Sequence, residues 1–357
     1  MSKRIKGMSL FSSAGIGEYY LERCGIDIVV ANELLPKRAE LYRKIYPKST
    51  MVCGDITNED VFEKIQGIAK KENVEFIIAS PPCQGFSVAG KNRNVQDIIK
   101  DERNYLIKYV VKMIESVKPK FIIIENVPSM LKLQFSENEE IIDILQYLNR
   151  IFKDDYNIES DILDTADYGT PQRRKRAIIK LTSKGFKWKW PKKFNNIITV
   201  NDVIGDLPSL ESGEVSDIPW HFARKHDARQ VEWMKHTPTG HSAFENLEFY
   251  PVKKDGTKVK GYNSSYRRIK WGEPCPTITI RNDAISSQRN VHPGHVLENG
   301  LYSDARVLSI LELIRLTGLP DEWPIPIDIP EILVRQVLGE CIPPLLVEAI
   351  VKEIVYE

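Results

Sequence analysis

The 357-residue sequence predicts an α/β fold: a Rossmann-like, mainly parallel sheet joined to a smaller domain of short strands and irregular segments. In the first half, short apolar runs alternate with segments of helical period, the pattern of repeated β-α-β units. The apolar run 76–79 stops at a serine and two prolines, as a buried strand does. After position 184, strand signals become short and glycines frequent. We therefore predict a first domain over 1–184, a second over 185–305, and helices over 306–357 that return to the first.

Composition limits the class of protein. Hydrophobic residues make up 42% and charged residues 28% of the chain, as in ordinary globular proteins. The five cysteines are scattered without a CxxC pair, which argues against a zinc site and a disulfide framework and favours a reducing compartment. No apolar run approaches the ~20 residues of a membrane helix. A cytoplasmic protein without a metal or a membrane partner is expected.

Each element of the first domain has a local signal. Strands are apolar runs that stop at glycine, proline or a polar residue, and helices repeat apolar residues every three to four positions. These signals predict strands over 6–11, 28–31, 51–57, 76–79, 121–124 and 177–181, and helices over 18–24, 36–46, 61–71, 105–117 and 141–152. Helical period returns over 307–316, which Gly318 ends, and over 335–340 and 343–354.

The loop 12–17 follows the first strand and is built of small residues, including Gly15 and Gly17. Glu33 ends the second strand roughly 20 residues later, the spacing at which a nucleotide-binding β-α-β unit places an acid for ribose hydroxyls. Because the glycines do not follow GxGxxG, a plain turn is an equal alternative. Asp55 is a second acid at the same edge, or a cap for the next helix.

Cys83 follows a strand and two prolines, which stiffen the loop because they fix φ and remove backbone donors. Ligands of open α/β sheets bind at the carboxyl ends of strands, so Cys83 is a candidate nucleophile. A small buried apolar cysteine is the commoner alternative. The polar loop 90–103 after it is either a lid over a site or a solvated surface loop.

Glu125 ends the strand 121–124 at the same edge. A dehydrated carboxylate there would have a raised pKa, which suits proton donation; a helix cap is the alternative. The segment 169–176 ends in four consecutive cations, which favour an anion or a polar base edge, although a solvated basic turn is usual. In the middle segment, tryptophans are interleaved with lysines and arginines, a pattern that suits nucleic-acid binding.

Together these motifs resemble the cytosine-5 DNA methyltransferases of bacterial restriction–modification systems. Many blocks in the family's order over nearly the whole chain are very improbable by chance. The blocks are Phe11 with Gly15 and Gly17, Glu33, Asp55, Pro82-Cys83-Gln84, Glu125-Asn126-Val127, Gln172-x-Arg174-x-Arg176, 306–323 and 336–344. Two positions depart from the pattern: Ser13 stands where the family usually has glycine, and Glu340 where it has asparagine.

The resemblance implies an S-adenosylmethionine-dependent methyltransferase sheet, a target-recognition domain over 185–305, and a set of site residues. The implied catalytic residues are Cys83, Glu125, Arg174 and Arg176. The implied residues for the cofactor, S-adenosyl-L-methionine, are Phe11, Ser13, Ala14, Gly15, Gly17, Glu33, Asp55, Ile56, Pro81, Leu106 and Glu340. The implied contacts to DNA and the target base are Gln84, Ser87, Ala89 and Thr277, and no metal is implied.

The resemblance also implies a mechanism. The Cys83 thiolate adds to carbon 6 of cytosine, Glu125 donates a proton or hydrogen bond to ring nitrogen 3, and carbon 5 takes the methyl group. Arg176, with Arg174, would bind the carbonyl oxygen of the base. Since a duplex hides the reacting carbons, the base must be flipped out, and the loop 87–103 would close over it.

The expected partner is double-stranded DNA, acted on by a monomer in the cytoplasm or nucleoid of a bacterium or archaeon. A separately encoded cognate restriction endonuclease is a further expected partner. Three alternatives stay open at this stage. They are the tRNA-methylating branch of the same fold, whose Cys-Phe-Thr signature is absent here, a catalytically inactive DNA-binding regulator, and a nucleotide-dependent oxidoreductase.

Overall fold

The computed structural model describes residues 4–82, 105–132, 134–137 and 140–355. Cys83, Gln84, Ser87 and Ala89, and with them the predicted lid loop, lie outside these described residues. The chain divides into two compact units. The sheet unit comprises Met1–Asp164, Lys175–Lys192 and Leu346–Glu357, and the second unit comprises Thr165–Arg174 and Lys193–Leu345. The functional division at 184 and 305 stays a prediction.

The sheet unit has the Rossmann-like α/β architecture that the sequence predicts. Its strands are β1 (Ile5–Leu10), β2 (Ile26–Glu33), β3 (Thr50–Cys53), β4 (Phe76–Ala79), β5 (Phe121–Asn126), β6 (Gln134–Glu137), β7 (Glu140–Asp143), β8 (Tyr156–Asp164), β9 (Lys175–Ser183), β10 (Lys187–Trp188) and β11 (Ile354–Val355). In the described residues the large sheet runs β3-β2-β1-β4-β5-β9-β8. Pairing is parallel from β3 to β5 and antiparallel from β5 to β8.

The helices of both units begin and end at recognisable residues. They are α1 (Pro36–Ile45), α2 (Glu59–Lys71), α3 (Ile107–Val117), α4 (Ile144–Phe152), α5 (Val200–Ile204), α6 (Ala228–Lys235), α7 (Ile310–Thr317), α8 (Glu331–Glu340) and α9 (Pro344–Val351). Asn58 caps α2 through its side chain, and Ser309 with Glu312 forms a capping box on α7. Gly318, at φ 84°, ends α7 as predicted. No helix in the described ranges is long and apolar enough to span a bilayer.

Several local predictions differ from the structure. The strand predicted over 51–57 is shorter and ends at Cys53, because Gly54, at φ 152°, follows it. The predicted helix 18–24 is instead two 3-10 turns, Ile16–Glu18 and Glu22–Cys24, because the left-handed glycines 15 and 25 leave too short a segment for α-helical propagation. The helix predicted from 141 begins at Ile144, since β7 pairs with β6. Strand β8 was missed because its alternate positions are polar, as on an edge strand with one solvated face.

The core of the sheet unit explains why the strands stop where they do. Side chains of β1, β4 and β5 pack against α2, α3 and α4, and every residue of β4 and β5 is buried. Strands covered on both faces are continuous apolar runs, so the first polar residues mark the edge of the sheet. Trp188 donates its indole N–H to the Ile350 carbonyl at 2.7 Å, which fixes α9 within this unit.

The second unit has little regular structure and is held by a small apolar core and a buried ionic network. Its core includes Trp233, Tyr266 and Val307. The Arg306 guanidinium binds Glu312 at 2.8 Å and Asp304 at 2.9 Å. Burial alone would raise the pKa of Glu312, but Arg306 lowers it to about 2, so this carboxylate is ionised and paired.

Candidate active site

The predicted site residues of the sheet unit lie at the carboxyl ends of adjacent parallel strands. Leu10 pairs with Asn32 on one side and with Ala79 on the other, and Ala79 pairs with Ile124. The residues that follow these positions therefore emerge at one edge of the sheet. That edge is where open α/β sheets bind their ligands.

Glu33 is held at this edge with both carboxylate oxygens in use. Its Oε2 accepts the Ser13 amide at 2.8 Å, and its Oε1 accepts the Leu35 amide at 2.8 Å. The side chain is 6% exposed. Because a carboxylate oxygen has two lone pairs, each retains acceptor capacity for a hydroxyl. Two neighbouring acceptors of this kind suit the paired hydroxyls of a ribose.

The first loop reaches Glu33 through an unusual backbone. Phe11 and Ser13 have φ of 59° and 49°, and Gly15 has φ of 71°. Left-handed conformations cost L-residues about 1–2 kcal/mol each, so the substitution of the family's glycine by Ser13 is unfavourable locally. At Gly15 a Cβ would lie 2.5 Å from the Tyr46 ring, so no larger residue fits there. Strain retained at a ligand edge is typical of functional loops.

A buried acid that the sequence interpretation missed supports this loop. The Tyr42 hydroxyl donates to Glu18 Oε2 at 2.6 Å, and the Tyr46 hydroxyl donates to the Gly15 carbonyl at 2.7 Å. Burial raises the pKa of Glu18 to about 7, although hydrogen bonds from Ser9 and Tyr42 oppose the shift. No sequence signal distinguished Glu18 from a residue on a solvated helix.

Asp55 is exposed beside this edge. Its Oδ1 accepts the Thr57 amide at 2.9 Å, while Asn58 caps α2, so the helix-cap alternative for Asp55 is wrong. Asn32, on β2, holds the end of β3 in place, because its Nδ2 donates to the carbonyls of residues 52 and 54, each at 3.0 Å. Asp55 thus keeps free acceptor capacity on its carboxylate, and its predicted contact with the cofactor stays a prediction.

The remaining predicted cofactor residues of the sheet unit are buried or partly buried. Pro81 is buried, and its carbonyl accepts the Asn126 side-chain amide at 2.6 Å. Leu106 is partly buried at the start of α3. Ala14, Gly17 and Ile56 are buried. The sequence interpretation missed Leu34, an apolar side chain 56% exposed directly after Glu33; its signal was a leucine pair between a strand and Pro36.

Glu125 and Arg176 form a nearly buried ion pair in the sheet unit. Arg176 Nε lies 2.7 Å from Glu125 Oε1, and the two side chains are 10% and 8% exposed. Glu125 is the penultimate residue of β5 and Arg176 is the second residue of the antiparallel neighbour β9, so the sheet brings them together across 51 positions of sequence. Arg176 Nη1 donates to the Lys175 carbonyl at 2.8 Å. Among the described residues, none accepts a hydrogen bond from its Nη2.

Arg174 has different partners, although it belongs to the same sequence pattern. Its guanidinium is buried in the second unit and donates to the carbonyls of Ile278 at 2.7 Å and Gly339 at 3.0 Å. Gln172 also contacts Ile278, because its side-chain oxygen accepts the Ile278 amide at 3.2 Å. These contacts favour a positioning role for Arg174. Its predicted contact with the base stays a prediction.

Thr277 and Glu340 are the sequence neighbours of Ile278 and Gly339, which Arg174 contacts. The Thr277 residue is exposed, and its hydroxyl donates to the Arg173 carbonyl at 2.8 Å. Glu340 is the last residue of α8 and is partly buried. α8 packs closely here, because a Cβ on Gly339 would lie 2.3 Å from the Thr279 carbonyl oxygen. The roles predicted for Thr277 and Glu340 stay predictions.

The hydrogen-bond acceptors and apolar side chains at this edge of the sheet fit an adenosine-containing ligand. Glu33 offers acceptors for a ribose, Leu34 and the partly exposed Phe11 offer apolar surface for a purine, and Asp55 offers an acceptor for an exocyclic amine. In the described part of the chain, no group of three or more His, Cys, Asp or Glu side chains could hold a metal ion.

Comparison with known proteins gives matches over the full length. The family model for C-5 cytosine-specific DNA methylases matches residues 5–356. The Type II methyltransferase M1.HgaI of Avibacterium volantium is 63% identical over 357 residues, all of both chains. The Type II methyltransferase M1.HphI of Haemophilus parahaemolyticus is 28% identical over 97% of this chain and 86% of that protein.

Solved structures show the same fold. A crystal structure of a protein assigned as a DNA modification methyltransferase, encoded within an E. coli prophage, aligns with a TM-score of 0.71 at 19% identity and covers 98% of each chain. The structure of Spodoptera frugiperda DNMT2 aligns with a TM-score of 0.59 at 17% identity, over 96% of this chain and 97% of that one. At these identities the likeness concerns the fold alone.

Proposed function

The chain belongs to the C-5 cytosine-specific DNA methylase family and is a DNA (cytosine-5-)-methyltransferase, and from that premise we propose how its residues perform the reaction. It flips a target cytosine out of duplex DNA and methylates carbon 5 through a covalent adduct of Cys83. The observation that carries this proposal is the Glu125–Arg176 pair at the carboxyl end of β5. The neighbouring strand β4 ends just before the catalytic-loop motif.

Glu125 and Arg176 would act on two different atoms of the target cytosine. The Cys83 thiolate forms a bond to carbon 6, which pushes electron density toward carbon 5 and nitrogen 3. Glu125, protonated when the base is bound, would give nitrogen 3 its proton or a hydrogen bond, which favours that shift. Arg176 keeps Glu125 in place through Nε, and its Nη2, with no described acceptor, is the donor for the carbonyl oxygen of the base. After carbon 5 has taken the methyl group, water accepts the carbon-5 proton and the Cys83 thiolate leaves, which restores the ring.

The methyl donor would occupy the sheet edge around Glu33. When bound, S-adenosylmethionine supplies an electrophilic methyl group. Glu33 would hold its ribose hydroxyls, Phe11 and Leu34 would contact the adenine, and Asp55 would accept from the adenine amino group. A Glu33→Ala variant should lose affinity for the donor in calorimetric titration without DNA, because both ribose acceptors disappear; unchanged affinity would contradict this assignment.

The likeness to Type II methyltransferases supports a role as the modification half of a restriction–modification system. In that role the enzyme would work in the cytoplasm on chromosomal DNA and protect it from a separately encoded endonuclease. Bisulfite sequencing of DNA from cells that express the chain should reveal one methylated sequence context. Methyl transfer to duplex DNA in preference to tRNA is expected, and the reverse preference would favour the tRNA-methylating branch.

The nucleophile is tested by Cys83→Ser, with Cys24→Ser as the matched control. Cys24 is a partly buried cysteine that is not among the predicted site residues. Cys83→Ser should abolish release of tritium from DNA labelled at carbon 5 of cytosine but keep specific DNA binding, whereas Cys24→Ser should retain both. A Cys83→Ser enzyme that releases tritium at the normal rate would refute the assignment.

A further inference from the structure

Two segments of the second unit lie side by side and have no part in the chemistry above. We name these residues, 262–266 and 285–289, the paired edge. Ser265 and Gln288 form an antiparallel bridge, and the Arg289 amide donates to the Ser264 carbonyl at 2.8 Å. The Tyr266 amide donates to the Ile285 carbonyl at 3.2 Å. Backbone pairing therefore fixes one segment against the other.

The inner side of the paired edge is anchored in the core of the second unit. Ile285 is fully buried and Tyr266 is 8% exposed, and both belong to the apolar cluster of that unit. The Asn290 side chain is buried and donates to the Ala284 carbonyl at 3.0 Å, closing the turn on its other side. The paired edge is thus a rigid support rather than a free loop.

Arg289 has a left-handed backbone, with φ of 47°. For a long side chain this conformation costs about 1–2 kcal/mol, and it persists only where the surrounding structure imposes it. The hydrogen bond to Ser264 and the buried neighbour Asn290 impose it here. The consequence is a fixed backbone position from which the Arg289 side chain extends.

The outer side of the paired edge carries exposed polar and aromatic side chains. Tyr262 is 80% exposed, and Ser286, Gln288 and Arg289 are exposed. Within the described ranges, the side chains of Gln288 and Arg289 have no hydrogen-bond or ion-pair partner. A guanidinium and a carboxamide on a rigid support, both with free donors, are the side chains that bind guanine and adenine edges through two hydrogen bonds.

A basic hairpin of the same unit, residues 251–259, offers the complementary contacts to phosphate. Val252 pairs with Lys258, and the turn exposes Lys253 and Lys254. Such lysines bind any DNA sequence and fix the protein on the duplex, but they do not discriminate bases. The unit therefore carries both a positive surface for the backbone and a polar edge suited to bases.

We propose that the paired edge reads the target sequence of the DNA, with Arg289 recognising a guanine and Gln288 an adjacent base. This inference rests on the proposed DNA methylation. It deepens that function by assigning sequence discrimination to two side chains outside the catalytic motifs. Phosphate contacts by the hairpin 251–259 supply affinity, and the paired edge supplies specificity.

The test compares the full chain with Arg289→Gly, Gln288→Ala and Lys254→Ala on a pool of duplexes randomised around the methylated cytosine, read by bisulfite sequencing. Arg289→Gly removes the guanidinium and relieves the backbone, so it should fold at least as well as the wild type. It should relax the preference at one guanine about 10- to 100-fold and leave the other positions selective. Lys254→Ala should weaken methylation of all sequences alike and reduce the salt dependence of binding.

The outcomes separate the two levels of the proposal. A wild type that fails to methylate any duplex would overturn the proposed function and this inference with it. A wild type that methylates one context, together with an Arg289→Gly variant of unchanged preference, would overturn the inference alone. Uniform weakening by Arg289→Gly on every sequence would also overturn it, since that is the behaviour of a phosphate contact.

Discussion

The Glu125–Arg176 pair allows stability and catalysis to be separated experimentally. Both side chains are about nine-tenths buried and their charged atoms are 2.7 Å apart. Removing one member of a buried pair leaves an uncompensated charge and costs about 3–5 kcal/mol. Arg176→Ala should therefore lower the free energy of unfolding by about that amount in urea. Arg176→Lys should cost less, because the charge remains, but it lacks the second donor for the base.

The double variant Glu125→Gln/Arg176→Met distinguishes the two roles. It leaves no unpaired charge, so most of the lost stability should return. Methyl transfer should not return, because both groups that act on the ring are gone; single-turnover assays should show rates at least about 10²-fold below wild type, as for loss of a transition-state hydrogen-bond donor. A double variant that recovers activity together with stability would refute the reasoning, as would Arg176→Ala with near-normal stability and transfer.

Three further predictions concern the glycine loop and two helices. Burial raises the pKa of Glu18 from 4.5 to about 7. The contribution of the Glu18 carboxyl to stability is therefore complete below pH 4.5 and is lost as the pH rises through 7. Across that window the free energy of unfolding of the wild type, measured in urea, should fall by up to about 3 kcal/mol relative to that of Glu18→Gln. Parallel pH profiles of the two proteins would contradict this. Ser13→Gly should raise stability by up to about 1 kcal/mol because it relieves a left-handed residue, whereas a lower melting temperature would show that the hydroxyl matters more. Gly339→Ala should lower the free energy of unfolding by about 1–3 kcal/mol, since its Cβ would meet the Thr279 carbonyl. The control Gly67→Ala in α2 has open space for its Cβ and should raise the free energy of unfolding by about 0.5–1 kcal/mol. Equal melting temperatures of the two variants would contradict this packing.

Local patterns predicted most of the sheet. The strand 76–79 has the predicted bounds, and Glu33 and Glu125 occupy strand ends as expected. These predictions succeed because a strand buried on both faces must be a continuous apolar run, and the first polar residue after it marks the edge. The segment 18–24 failed because its periodicity is helical while the glycines on either side restrict it to 3-10 turns.

Sequence patterns did not predict which members of a motif act together. Arg174 and Arg176 belong to one pattern, yet Arg176 binds Glu125 and Arg174 binds the carbonyls of Ile278 and Gly339. The predicted role of Cys83 remains a prediction, because it lies outside the described residues. The chemistry of each residue was legible from its type, whereas its partner depended on the fold.

The sequence by itself determined the parallel strands of the sheet, the acids at the strand ends and the family to which the motifs belong, because each strand and each motif is a pattern of residues a few positions apart. The tertiary structure alone decided that Glu18 is a buried acid under the first loop and that Arg289 stands fixed beside Ser264. Those contacts join residues with no mutual periodicity. Only the pairing of distant backbone segments, driven by burial of the side chains between them, brings such residues within hydrogen-bond distance.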